Sequence, residues 1–178
     1  MSDHEDVVIM PIMASMIESF HRALDIVARE RRYLTLTEAP PLPDTRAFVL
    51  NAMAAGDPRF VALLGDEVIG WCDVRRHFFP AHAHRGTLGI GVLPAHRGQG
   101  IGARLIRACL DETGHLGFTR IELDVHSDNL RAIALYEKMG FNREGLTRDA
   151  ALIDGVYRDA IVMSLVDRGA GAPARTLS

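Results

Sequence analysis

Cysteine is scarce in this chain, positive charge is not in excess, and long apolar runs are missing. Only two of the 178 residues are cysteines, Cys72 and Cys109. Two thiols build neither a disulfide framework nor a four-ligand zinc site, so both are expected as small core residues of a cytoplasmic protein. The net charge of −3 lacks the basic surplus that draws proteins to phosphate backbones, and no nucleic-acid partner is expected. No apolar run approaches the roughly 20 residues of a membrane span, so no membrane partner is expected either. The opening Met1-Ser2-Asp3-His4-Glu5-Asp6 is acidic where a secretory signal would be basic, which argues against secretion.

What is present fits a globular protein, with 48% hydrophobic and 24% charged residues. The length suits one domain, taken as residues 7–166, with flexible termini at 1–6 and 167–178. The apolar pattern switches between periods of about 2 and about 3.6, which mixes strands with helices. A strand is expected from Val7 to Ile12, then a helix through Ile17, Phe20, Leu24 and Val27. The run Thr37-Glu38-Ala39-Pro40-Pro41-Leu42-Pro43 reads as a stiff extended connection, with a second helix from Asp44 or Thr45 to Gly56. A hairpin follows over Phe60–Leu64 and Val68–Val74, then a loop over His77–His84, a strand over Thr87–Leu93 and a helix from Gly98 to Thr113. Arg120–Val125 is a strand, Asn129–Met139 a helix closed by Gly140, and two last strands flank the turn Asp154-Gly155. No internal repeat or domain linker is visible.

The most informative stretch is Arg97-Gly98-Gln99-Gly100-Ile101-Gly102-Ala103, set between a strand and a helix. Alternate glycines let backbone approach a ligand closely, and the helix beyond offers unpaired N–H groups at a positive dipole end. Together these form a diphosphate cradle. A phosphate-binding P-loop fails, because Ala103-Arg104 stands where Lys-Ser or Lys-Thr is required. The dinucleotide pattern G-x-G-x-x-A is matched by Gly98, Gly100 and Ala103, with Glu122 or Asp124 about 20 residues on. Against it, Pro94-Ala95-His96-Arg97 separates the strand from the first glycine, although an NAD(P)-binding oxidoreductase stays an alternative.

This stretch resembles the Gln/Arg-x-x-Gly-x-Gly/Ala motif of the Gcn5-related N-acetyltransferase (GNAT) superfamily, through Arg97, Gly100 and Gly102. Leu88-Gly89-Ile90-Gly91-Val92-Leu93 is similar to that family's fourth strand. Val125-His126-Ser127-Asp128-Asn129 through Tyr136-Glu137-Lys138-Met139-Gly140-Phe141 resembles its asparagine-to-tyrosine helix and Gly-Phe exit. The resemblance implies a mixed α/β fold: a twisted, mostly antiparallel sheet of six or seven strands, flanked by helices and splayed between strands 4 and 5. It also implies acetyl-coenzyme A as cosubstrate. Backbone at Gly98, Gln99, Gly100, Ile101, Gly102 and Ala103 would hold the pyrophosphate, with Arg97 leading into the turn. The edge at Ile90 and Val92 would pair with the pantetheine arm. Asn129 would bond that arm, cap its helix, or do both.

The implied reaction is acetyl transfer to a primary amine of a small molecule or a peptide N-terminus, by direct attack in a ternary complex. A base must neutralise the amine, a donor such as the Val92 N–H must hold the oxyanion, and an acid must meet the leaving thiolate. Tyr136, seven residues after Asn129 and so about two turns along one helical face, stands in the family's general-acid position. Asp73 and Glu38 are candidates for the base, and Trp71, Asp73 and the loop at Glu38 for the acceptor side. His77, His82 and His84 have poor metal spacing, so no metal is expected; His126 is read as a turn residue. Tyr157 would line the acceptor pocket or a subunit contact, and a homodimer is implied by resemblance alone. Amino acids of the phosphinothricin type, aminoglycosides, polyamines and protein α-amines stay open as acceptors, and a non-catalytic acetyl-coenzyme A sensor is the other alternative.

Overall fold

A computed structural model describes residues 7–169. The expectations for residues 1–6 and 170–178 fall outside the described residues. Seven strands form one sheet: β1 (Val8–Pro11), β2 (Arg59–Leu64), β3 (Glu67–Arg76), β4 (Arg85–Val92), β5 (Arg120–His126), β6 (Asn142–Ile153) and β7 (Val156–Val166). Their spatial order is β1-β2-β3-β4-β5-β7-β6. Every neighbouring pair is antiparallel except β4 and β5. The parallel pair needs a crossover, and helix α3 (Ile101–His115) supplies it.

Two cores follow from the period-two alternation of the strands. On one face, Leu105, Ile106 and Cys109 of α3 and Ile133 and Tyr136 of α4 (Leu130–Lys138) pack on Cys72, Val74, Leu88, Leu123 and Val125. On the other, α1 (Ile17–Arg29) buries Ile17, Phe20, Ala23 and Val27 against Val61, Val68 and Trp71, joined by Val49 of α2 (Leu42–Ala55). Each fully buried Ile or Leu contributes about 1.5–3 kcal/mol of transfer free energy, which holds both helix layers on the sheet. The fold is thus the splayed, helix-flanked mixed sheet expected from the sequence.

Two helix starts differ from expectation by two residues or more. Helix α2 starts at Leu42, before Asp44, because Pro43 falls in the first turn, where its missing N–H has no acceptor to lose. Helix α3 starts at Ile101, since Gly98 and Gly100 adopt φ of +81° and +79° and belong to the turn before it. At the far hairpin Asp154 and Gly155 take φ of +51° and +75°, the pair of positive values that a two-residue hairpin turn matching strand twist requires.

Candidate active site

The pairing of β4 with β5 runs only from Arg85↔Arg120 to Thr87↔Glu122. Beyond Thr87 the strands part, so the edges of Leu88–Val92 and Leu123–His126 face each other without a ladder. The Leu93 N–H donates to Ile69 O on β3 at 2.8 Å. By alternation the N–H groups of Val92 and Ile90 turn the other way, into the gap. A cavity of about 560 Å³ fills this opening, lined by Ile90, Gly91 and Val92 on one side and Asp124, Val125 and His126 on the other.

Below the gap lies the glycine turn. The first intrahelical bond of α3 is Arg104 N–H to Gly100 O, at 3.2 Å. This leaves the N–H groups of Ile101, Gly102 and Ala103, all lining the cavity, without intrahelical acceptors. Arg131 of α4 stands over the turn, so close that a Cβ on Gly98 would come within 2.5 Å of its Nη2. Amides, a positive dipole end and a guanidinium therefore converge on one spot, which fits an anionic diphosphate. Arg97 fixes the turn from outside: its Nε donates to Val92 O at 2.9 Å, and its terminal nitrogens donate to Glu30 at 2.9 and 2.5 Å.

Of the residues singled out in the sequence, Ile90, Val92, Arg97, Gly98, Gly100, Ile101, Gly102, Ala103, Asn129 and Tyr136 meet at this cavity. Gln99 does not line it and turns its side chain to Ala95 O at 3.3 Å. Asn129 caps α4, its Oδ1 accepting from Ala132 N–H at 3.2 Å. Tyr136 is 7% exposed, and burial pushes its phenol well above the ordinary value, so it stays protonated through neutral pH.

Asp73 and Glu38 are not brought to the cavity. Asp73 is buried on the α1 side of β3 and accepts from Arg59 at 3.1 Å. Burial raises its carboxyl above the usual range, against the opposing charge of Arg59. Glu38 is 67% exposed and pairs with Arg29 at 3.4 Å. Trp71 is core, edge-on to Phe20 with ring centroids 5.6 Å apart. His77 bonds Thr87 Oγ1 at 3.1 Å. Among the described residues no group of three or more His, Cys, Asp or Glu is arranged to hold a metal ion.

The sequence reading missed Arg32, Tyr33 and Leu34, which line the cavity from the α1–α2 connection, together with Arg131 and Lys138 of α4. Arg31 pins that connection across the molecule, bonding Asp154 of the far hairpin at 2.6 Å. The β5 face was visible as the polar half of an alternating strand, Glu122, Asp124 and His126.

The family model described as the acetyltransferase (GNAT) family matches residues 21–141. The chain is 33% identical over 112 residues to the L-amino acid N-acetyltransferase AaaT of Escherichia coli K12, covering 62% of this chain and 69% of that protein. It is 42% identical over 88 residues to the N-alpha-acetyltransferase RimI of Mycobacterium tuberculosis H37Rv, covering 48% of this chain and 49% of that one. In fold it is similar to a phosphinothricin acetyltransferase of Sinorhizobium meliloti solved with acetyl-coenzyme A. That structure has a TM-score of 0.82 and 21% identity, over 95% of this chain and 93% of the other. The chain belongs to the GNAT family of acetyltransferases. Its class of activity is N-acetyl transfer.

Proposed function

We propose that this chain acetylates the α-amino group of a free amino acid or of a peptide N-terminus. The observation that carries the proposal is the parting of β4 from β5 beside the glycine turn, which leaves two strand edges and a set of helix amides facing one cavity. By their names, one relative acts on L-amino acids and the other is an N-alpha-acetyltransferase. Acetyl-coenzyme A supplies the activated acyl group as a thioester.

The chain's own residues do the rest. The amides of Ile101, Gly102 and Ala103 bind the diphosphate with Arg131, and the turn is held by Arg97. The outward edges of Ile90 and Val92 bind the pantetheine amides as an added strand would, with Asn129 contributing from α4. The Val92 N–H holds the acyl oxygen as charge develops on it, a role worth about 3–4 kcal/mol for one such donor. The Tyr136 hydroxyl gives its proton to the departing sulfur.

A cytoplasmic home is part of the proposal, supported by Cys72 and Cys109, both free and buried. A homodimer is another part, supported by Leu146, Leu152, Val156 and Tyr157, which stand exposed on the β6–β7 hairpin. Sedimentation of the protein and of Leu152→Glu tests the dimer, with a shift to monomer expected in the variant. For the activity, the protein is incubated with acetyl-coenzyme A and a panel of L-amino acids and an unblocked peptide, and free thiol is followed. Amine-dependent thiol release supports the proposal, and release only with side-chain amines or polyamines overturns the α-amine assignment.

A further inference from the structure

The proposed reaction needs a group to take the proton of the acceptor ammonium, and neither Asp73 nor Glu38 lines the cavity. The molecule's remaining titratable clusters lie elsewhere. Arg85, Arg120, Glu122 and Glu144 form an ion-pair network on β4, β5 and β6. His77 and His82 lie edge-on to each other in the β3–β4 connection, ring centroids 6.1 Å apart. Inside the cavity, one ring differs from all of these.

His126 is the last residue of β5, and its backbone is fixed from both sides. It stands opposite Ala160 of β7, and its carbonyl accepts from Asn129 N–H at 2.9 Å. Alternation along β5 sends Leu123 and Val125 into the α3–α4 core and turns His126 toward the α1 side. There its ring lies edge-on to Tyr33, centroids 6.2 Å apart, and lines the cavity. Its Nδ1 is buried and has no hydrogen-bond partner among the described residues. A buried polar nitrogen left unpaired is costly, and ligand chemistry at the cavity explains it.

We infer that His126 is the general base that deprotonates the acceptor amine, from the sheet face opposite the one that carries Tyr136. This rests on the acetyl-transfer reading above. Acid and base are thereby separated by the strand itself: α4 presents Tyr136 to the sulfur, while His126 faces the side from which Arg32, Tyr33 and Leu34 wall the cavity. The ammonium proton passes to the imidazole and on to solvent. The freed lone pair forms the C–N bond as the C–S bond breaks. Tyr136 protonates the sulfur and regains the second amine proton, so one proton is released per turnover. Imidazole suits the task because its charge changes between about pH 5 and 8.

The titratable and charged groups that share the cavity with the ring are Asp124 on β5, Arg32 and Tyr33 from the α1–α2 connection, His96 and Arg97 before the glycine turn, and Arg131, Tyr136 and Lys138 of α4. On β7 the facing residue is Ala160, and the neighbouring Asp159 carboxylate is bonded to Asp149 N–H at 2.9 Å. No carboxylate is bonded to Nδ1.

The test compares the full chain with His126→Gln, using L-methionine and methoxyamine, which is already neutral at pH 7, as probe amines. The His126 ring resonance, assigned by its loss in the variant, is followed by NMR with pH and with added acetyl-coenzyme A. Expected are equal thermal stabilisation of both proteins by acetyl-coenzyme A and a ring resonance that titrates and moves when the coenzyme is added. The variant should lose roughly 100-fold in kcat/KM with L-methionine, together with its acidic limb, and far less with methoxyamine. A ring that neither titrates nor responds to the coenzyme, or an unchanged rate and pH profile in the variant, overturns the assignment. Wild type that is not stabilised by acetyl-coenzyme A would overturn the donor reading first and this inference with it, a failure visible before any variant is compared.

Discussion

Arg97 grips Glu30 with both terminal nitrogens, at 2.9 and 2.5 Å, and so ties the glycine turn to the end of α1. The same guanidinium holds Val92 O through Nε, so one side chain sets the distance between the turn, the β4 edge and the α1–α2 connection. Arg97→Ala should weaken acetyl-coenzyme A binding about tenfold, equivalent to about 1.4 kcal/mol, by loosening a preorganised cradle. Glu30→Gln should cost less, since the pair is partly solvated and the bond to Val92 survives. Calorimetric titration of both variants checks the order, and equal affinities in all three proteins would contradict it.

Gly98→Ala should weaken the same binding through another cause. The position has φ of +81°, which costs a residue with Cβ about 1–2 kcal/mol, and the new methyl would also displace Arg131. Gly100→Ala meets the same backbone penalty at φ of +79° but has open space around it. The titration should therefore rank Gly98→Ala as the weaker binder of the two; the reverse order would separate Arg131 from the cradle.

The parts of this site that the sequence made visible are those carried by local rules. Spacing of glycines before a helix marks the cradle, and the interval from Asn129 to Tyr136 places both on one face of α4. The wall supplied by the α1–α2 connection was hidden because it depends on where that connection folds. Arg32, Tyr33 and Leu34 reach the cavity from a connection that Arg31 ties to Asp154, 123 residues away in sequence. Asp73 looked available on its strand, yet the register Arg59↔Asp73 on the adjacent strand supplies a buried cation that occupies it. Pro43 misled in the opposite sense, for a proline that stops a helix elsewhere starts one in the first turn.

Tyr136→Phe should lower kcat by roughly 100-fold while leaving acetyl-coenzyme A affinity nearly unchanged, because the ring's packing against Phe141 persists and only the proton donor is lost. With its phenol raised by burial, Tyr136 should impose no loss of rate in wild type as pH rises to 9. Steady-state rates across pH 6–9 check both, and a variant with wild-type kcat would remove the acid role.

Glu144 gives stability a pH dependence of known sign. Its bond from Arg120, then that from Ser164, lowers the carboxyl to about 2 from an ordinary 4.5. The ionised form is thus favoured in the folded chain, so its stabilisation is present above the ordinary value and fades as pH falls toward about 2. Urea unfolding of wild type and Glu144→Gln should show a gap at pH 6 that narrows with acidification. A gap that stays constant would place the effect elsewhere.

The most direct test of the account is thermal unfolding of the purified protein with acetyl-coenzyme A, with coenzyme A and with NADH. A ligand at 100 times its dissociation constant stabilises by about 2.7 kcal/mol, a rise of several degrees at roughly 2–4 °C per kcal/mol. Acetyl-coenzyme A should give that rise, Gly98→Ala should reduce it, and NADH should change nothing. Stabilisation by NADH and none by acetyl-coenzyme A would contradict it.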